Sequence, residues 1–514
     1  MATFPVAASD VRSAEPSDVQ GAFMQNRLRW LDGAVLLSLT ALVLYTVSKH
    51  EPWADEAQAW LQARDFNWWH LVFTELHYEG HPPVWFAILA VAVHVFHVPY
   101  AFIGYLGASF AIAGLAVLVY LAPFPRSLRY LIAFSFFLVY QYAVIARPYV
   151  LIPLLAFLAA HFARNDPSHI LTFAVLAALL IHVSAYSAVI AMGLSAFCAL
   201  HLSRGWAETS PTDRTRILGA AALVSASAVL ALVLLYPHPD SAFMTQKVDG
   251  TLQYRLHLMG QALVGSLDDS ALVAYPLLLF AVVWACCWRG FLPLLTCVGG
   301  TAMVYGFLRG YEHHQGLLTV ALVVSLWVAW PSPSETETAP RIVQWLHRSF
   351  VIALLLLFAW QCTWSYTAIR NEWADPYSGA QDAAAFLKSV HADQLGCAGY
   401  LYWVVGVQPY FQHNLFQNWG GPDAPASYHW AKDFQKRSDG LLLSDAVNGP
   451  PFIVIANEFQ DLQHTVPLIQ SMKSVNYNLV HSSPGNKFFK GKKGVYTWYL
   501  VFAKTGPPAA LPNP

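Results

Sequence analysis

The sequence predicts a polytopic α-helical membrane protein with a small C-terminal soluble α/β domain. Three observations predict it. The 514 residues are 56% hydrophobic and only 11% charged, whereas an ordinary globular chain is about 25% charged. Apolar runs recur along most of the chain, each near the ~20 residues a helix needs to cross the hydrocarbon. Past residue 368 the pattern changes, and polar stretches alternate with short β-rich runs and helical segments, as in a small α/β fold.

Residues 1–30 form a polar segment, read as cytoplasmic because Arg27 and Arg29 precede the first apolar run. No small-residue cleavage site follows that run, so it is read as a retained helix. Spans are expected at 31–48, 83–98, 101–121, 130–146, 148–164, 170–190 (extending to 203), 217–236, 271–288, 291–308, 316–330 and 349–367. That makes about 11 transmembrane helices in a module over 31–367. Starting inside, the count places the first outer loop 49–82 outside, with 237–270, 309–315 and the domain 368–514. It places the basic stretches Arg204–Arg216 and Arg341–Arg348 inside, as the positive-inside bias expects. It also places Arg126, Arg129 and Arg164 outside, against that bias, and Arg147 inside.

The net charge of -1 and the absence of a Lys/Arg run give no case for nucleic acid. Five cysteines lie in apolar stretches and only Cys397 lies in the polar part, with no redox or zinc spacing. The stretch "PSPSETETAP" (331–340) reads as a polar linker.

The first outer loop is where the chemistry gathers. In "EPWADEAQAWLQARD" (51–65), Trp53, Ala57, Trp60 and Arg64 recur at helical spacing. With Trp68 and Trp69 they suggest an amphipathic helix in the interface. Asp55 and Glu56 fall at its N-terminal end, where the helix dipole favours negative charge, so capping alone would explain them. The loop closes on "LHYEGHPPVWF", with Glu79 and His81 before two prolines suited to a first helical turn. A carboxylate held at the surface is also a candidate general base towards a hydroxyl.

The acidic "DE" just past the first span and the "HPP" opening the second together resemble the polyprenyl-phosphate-dependent glycosyltransferases of the GT-C superfold. Protein mannosyltransferases and lipid A aminoarabinose transferases are branches of it. The resemblance implies a GT-C-like body and a polyprenyl-phosphate-linked sugar donor. It implies a glycan, glycolipid or polymer acceptor, a bilayer setting and an extracytoplasmic site, as in a bacterial inner membrane. It carries the base onto Asp55, with Glu56 as the alternative and Glu79 as a second acid by approximate position. Departures are visible. The glycine and lysine that follow the prolines in protein mannosyltransferases are absent, and "NWWH" has histidine where oligosaccharyltransferases have an acid.

Transfer from a lipid phosphate needs one base and a cationic clamp, because phosphate is already a good leaving group. "FLRGYEHHQG" offers Arg309, His313 and His314 to a phosphate, with a snorkelling Arg309 as the plainer reading. Arg147, in "VIARPYV", is a further phosphate-binding candidate, since a charge near membrane depth is costly. His81, Tyr78 and Lys247 are expected near the substrate. Arg255 and His257 read as interfacial anchors, and His182 as an intramembrane hydrogen-bonder. No cofactor is required, although Asp55, Glu56, His77, Glu79 and His81 also suit a divalent cation. "VQPYFQHNLFQNWGG" (407–421) suits either carbohydrate stacking or the core of the small domain. A transporter or flippase is the alternative function, and it would spread ionisable residues along mid-span positions. Here, apart from Arg147 and His182, they cluster at one membrane face instead.

Overall fold

Continuous apolar sequence has one way to satisfy its backbone in hydrocarbon, the helix. The computed structural model describes residues 16–164, 167–242, 250–308, 310–440, 446–459, 462–490 and 492–505. Its bundle helices are α1 (Pro16–Val47), α2 (Ala54–Asp65), α3 (Val84–His94), α4 (Ile103–Leu121), α5 (Arg126–Ala133), α6 (Leu151–Arg164) and α7 (Ile170–Ile181). They continue with α8 (Ala185–Arg204), α9 (Pro211–Leu235), α10 (Leu252–Leu267), α11 (Ala271–Cys287), α12 (Gly300–Phe307), α13 (Gly316–Ala329) and α14 (Arg341–Ala374). Five of these, α1, α4, α8, α9 and α14, contain stretches long and apolar enough to cross a membrane. The pair α10 and α11, bent by 89° between them, makes a sixth if taken as one span. The chain is thus a polytopic membrane protein.

Several of the expected spans fall short of spanning length or break, and three of these differences bear on the site. The segment 83–98 holds α3, whose 11 residues reach only about 16 Å at 1.5 Å per residue. Val84 N–H donates to the His182 carbonyl at 3.2 Å. His94 Nε2 bonds the Ala63 carbonyl at 2.8 Å, so α3 lies against α2. The segment 130–146 is not one helix: α5 ends at Ala133 and a π turn follows over Phe137–Gln141. The run 170–203 breaks at His182, where Ser184 caps α8 through a capping box with Ser187, and α7 and α8 pack on each other. Hydropathy alone does not register such breaks, because each half remains apolar.

These breaks change which residues share an end of the bundle. At one end Arg126 pairs with Asp32 of α1 at 3.2 Å. Arg129 donates to the Val119 carbonyl and Arg164 to the Trp327 carbonyl. At the other end Glu56 reaches Ala146, and Glu372 of α14 reaches His50. Arg147 therefore sits with the first loop, and Arg126, Arg129 and Arg164 sit opposite it. This corrects the expected placement of all four.

After α14 the chain builds a four-stranded sheet in the order β1 (Cys397–Tyr400), β2 (Phe452–Phe459), β4 (Lys492–Lys504), β3 (Tyr477–Phe489). β1 pairs parallel with β2, and β2–β4 and β4–β3 are antiparallel. α15 (Ala380–Ser389) packs against β3 and β4. The 407–421 stretch belongs to this domain's core. Val407, Phe416 and Trp419 are buried, Gln408 bonds Asn414, and Trp419 Nε1 donates to the Gly399 carbonyl. Val407, Phe416 and Trp419 share one cluster with α15 and with Val454, Ala456, Tyr499 and Val501 of the sheet, so the segment helps cover that face.

Candidate active site

Asp55 and Glu56 are neighbours in α2 with opposite surroundings. Glu56 closes a capping box, accepting from the Trp53 N–H at 3.1 Å. Its Oε1 accepts from the Ala146 N–H at 2.7 Å, and Oε2 meets His50 Nε2 at 2.9 Å. His50 meets Glu372 at 3.0 Å on its other ring nitrogen, and Tyr140 donates to Glu372 at 2.6 Å. Burial lowers the His50 pKa, but the carboxylates of Glu56 and Glu372 more than offset this and lift it to about 10. Glu56 is fully buried and both its oxygens are engaged. It ties the first loop to the bundle.

Asp55 is partly exposed. Its side chain is 20% exposed, and Arg147 Nη1 lies 2.8 Å from Oδ2. Tyr402 donates to Oδ1 at 2.8 Å. Arg147 Nη1 also donates to His313 Nε2 at 2.8 Å, and its guanidinium lies over the Trp53 and Tyr149 rings. Leu401, at φ +71, holds a conformation costly for a branched residue. The turn it makes presents Tyr402 to Asp55 and stacks Trp403 on Trp53 at 5.4 Å.

The two loop histidines are held neutral. Burial, then neighbouring His314 and Arg147, keep His313 well below its ordinary range. His314 is buried in the same way, bonded to Tyr149 at 2.6 Å and to the Tyr311 N–H at 3.0 Å. Both were expected as cations for a phosphate, yet as neutral rings His313 accepts from Arg147 and His314, whose Nδ1 accepts the Tyr311 N–H, donates from Nε2 to Tyr149. The positive charge beside Asp55 comes from Arg147. Arg309 and Lys247 lie outside the described residues.

His81 stands edge-on to Tyr149, and its Nδ1 is buried with no hydrogen-bond partner among the described residues. Burial and then Arg147 push its pKa down to about 3, so the ring is a neutral donor or acceptor. Glu79 Oε1 accepts from both Gln58 and Gln62 at 2.6 Å, beside the Asp55 row of α2. Burial of this half-buried residue pushes its carboxyl up to about 7, although the two amides act the other way. Tyr78 is not at Asp55. It donates to Asp240 at 2.8 Å and packs on His429. Among the described residues no group of three or more His, Cys, Asp or Glu is arranged around a metal position.

Two residues missed in the sequence complete the cluster, Tyr402 and Lys487. Lys487 Nζ sits over the Trp53 ring at 4.2 Å and the Trp403 ring at 4.3 Å, and pairs with Glu458. Neither stands in a motif, and nothing local in the sequence distinguishes this lysine from Lys492 or Lys504.

No family model and no curated protein matches the chain. Among solved structures it is similar to ArnT from Cupriavidus metallidurans, whose crystal structure was determined bound to undecaprenyl phosphate. The TM-score is 0.53 at 11% identity, over 94% of this chain and 98% of that one. The chain has the GT-C fold. A looser likeness, TM-score 0.39 at 15% identity, links 92% of this chain to 41% of the mycobacterial arabinofuranosyltransferase AftD.

Proposed function

We propose that this GT-C chain is a membrane glycosyltransferase that moves a sugar from a polyprenyl-phosphate donor to an acceptor hydroxyl, with Asp55 as general base. One observation carries the reading. A partly exposed carboxylate is paired at 2.8 Å with a buried arginine, while the adjacent acid is sequestered. A donor phosphate matches guanidinium geometry bidentately and competes with Asp55 for Arg147. When the phosphate takes Arg147, Asp55 is released to accept a proton. Donor binding thus arms the base.

The acceptor oxygen attacks the anomeric carbon and loses its proton to Asp55. The bond from that carbon to the phosphate oxygen breaks, and its electron pair stays on the phosphate. A single displacement inverts the anomeric centre. The unpartnered His81 Nδ1 offers a hydrogen bond to a sugar hydroxyl, and Glu79 lies nearby, held by Gln58 and Gln62 of α2. The reaction needs no obligatory metal, because cationic side chains such as Arg147 can meet the phosphate's charge. We place the site on the extracytoplasmic face, since Arg126, Arg129 and Arg164 gather at the opposite end and the positive-inside bias puts them in the cytoplasm. ArnT's undecaprenyl phosphate supports a polyprenyl donor here.

The test is transfer from synthetic polyprenyl-phosphate sugars by purified protein. Asp55→Asn is expected to cost about 10²–10⁴-fold in rate, with the fold intact. Unimpaired transfer by that variant removes Asp55 as the base.

A further inference from the structure

The C-terminal domain meets the bundle through the β3–β4 hairpin, and that hairpin is pinned on both sides of one residue. On one side Asn486 N–H donates to the Pro376 carbonyl at 2.9 Å, and its amide donates to Asp375 just beyond α14. On the other side Lys490 is buried, with Nζ on the Gly265 carbonyl, on Asp269 at 2.7 Å and on Gln315 at 2.7 Å. Gly265 and Asp269 flank the α10–α11 corner, and Gln315 follows His313 and His314. Between the anchors the β3–β4 register shifts from Lys487 to Phe489, and such a bulge re-aims a side chain. Gly494 makes this possible, because a Cβ there would overlap the Lys487 carbonyl.

The residue re-aimed is Lys487. It shares the Trp53 indole with Arg147, Lys487 Nζ at 4.2 Å and Arg147 Cζ at 5.7 Å from the ring centroid. Both Asp55 and Arg147 act on it electrostatically. An ammonium within reach of two indole rings gains from both, yet its side chain remains 17% exposed. Burial pushes its pKa down while Glu458 pushes it up, which is the balance of a charge held in place at a cost.

The chemistry asks for this second cation. Before a donor enters, the formal charges of Asp55 and Glu458 balance those of Arg147 and Lys487. A lipid-phosphate-sugar diester carries one negative charge. When its bond to the anomeric carbon breaks, the leaving phosphate gains a second, while Asp55 loses its own by taking the acceptor's proton. Negative charge thus moves from Asp55 to the phosphate within one step. Arg147, drawn from Asp55 when the donor binds, meets the charge the diester already carries; the second charge forms on the phosphate as the bond breaks and calls for another cation.

We propose that Lys487, delivered by the β3–β4 hairpin, is a catalytic residue that binds the donor phosphate opposite Arg147 and stabilises the charge it acquires on leaving. This rests on the transferase reading above. It also makes Glu458 a competitor of the phosphate for Lys487, and that gives the test its sign.

Affinity for polyprenyl phosphate, with the phosphate-free polyprenol as control, is measured for the wild type, Lys487→Met, Lys487→Arg and Glu458→Gln. Lys487→Met is expected to weaken polyprenyl-phosphate binding at least about tenfold and to lower kcat/KM for the donor by about 10²–10³-fold. Polyprenol binding stays unchanged, and Lys487→Arg recovers part of the loss. Glu458→Gln is expected to tighten polyprenyl-phosphate binding, which a merely structural ion pair would not do. Should Lys487→Met fail to fold, Glu458→Gln decides: unchanged or weaker binding overturns the assignment. A wild type that binds and a Lys487→Met variant that binds equally well overturn the role of Lys487 alone. A wild type that binds no polyprenyl phosphate overturns the transferase reading with it.

Discussion

Two adjacent carboxylates on α2 divide into a buried fastener, Glu56, and a partly exposed Asp55, and their variants should separate accordingly. Glu56→Ala strips His50, the Trp53 N–H and the Ala146 N–H of their shared acceptor. Breaking a buried pair in this way costs about 3–5 kcal/mol, read as a lower unfolding midpoint in detergent, whereas Asp55→Asn should leave that midpoint nearly unchanged. Glu79 makes a pH prediction. Its carboxyl is raised from 4.5 to about 7 in the folded chain, so the native state holds its proton more tightly than the unfolded state does. Its contribution to stability is full below about pH 4.5 and is lost as pH rises through about 7. Glu79→Gln should flatten that part of a thermal-unfolding series. At this scale Asp55 was legible because its "DE" sits against the end of a span. Tyr402 and Lys487 were not, since Tyr402 meets Asp55 across 347 residues of chain and carries no local signature.

Helices are where hydropathy both succeeded and misled. α1, α4, α9 and α14 follow the apolar runs closely, because a long helix and a long apolar window are the same signal. α3 gave that signal while lying against α2, and the α7–α8 break gave none, since Ser184 caps a helix inside an unbroken apolar stretch. The close approach of α4 and α6 is specified by a single residue. A Cβ at Gly114 would stand 2.9 Å from the Leu154 backbone nitrogen. Gly114→Ala should therefore force the helices apart and cost about 1–3 kcal/mol, measured as a shift in the unfolding midpoint. The 407–421 stretch shows the converse ambiguity: aromatic and amide residues serve a sugar and a small core equally well, and only burial separates the two.

Across the whole molecule, the bundle has two chemically distinct ends, one gathering Arg126, Arg129 and Arg164 and the other Asp55, Arg147 and His313. The sequence count lost this polarity, because one short helix counted as a span reverses every end until a later miscount restores it. Cysteines introduced as Ser127→Cys and Glu312→Cys should react with an impermeant maleimide from opposite sides of a sealed vesicle. Labelling from the same side would return Arg126 to the face of the site.

The cluster around Asp55 draws on α2, the turn before α6, the loop before α13, the Tyr402 turn and a hairpin near residue 490. These pieces emerge from the ribosome in that order. Asp55 and Arg147 are available early, while the lysine that shares their indole arrives only with the β3–β4 hairpin. A nascent chain stalled before that hairpin would expose the acid and the arginine without the second cation. Under the roles proposed for Asp55 and Lys487, biosynthesis then acts as a safety catch, and a partly made chain is expected to spend little lipid-linked sugar on water.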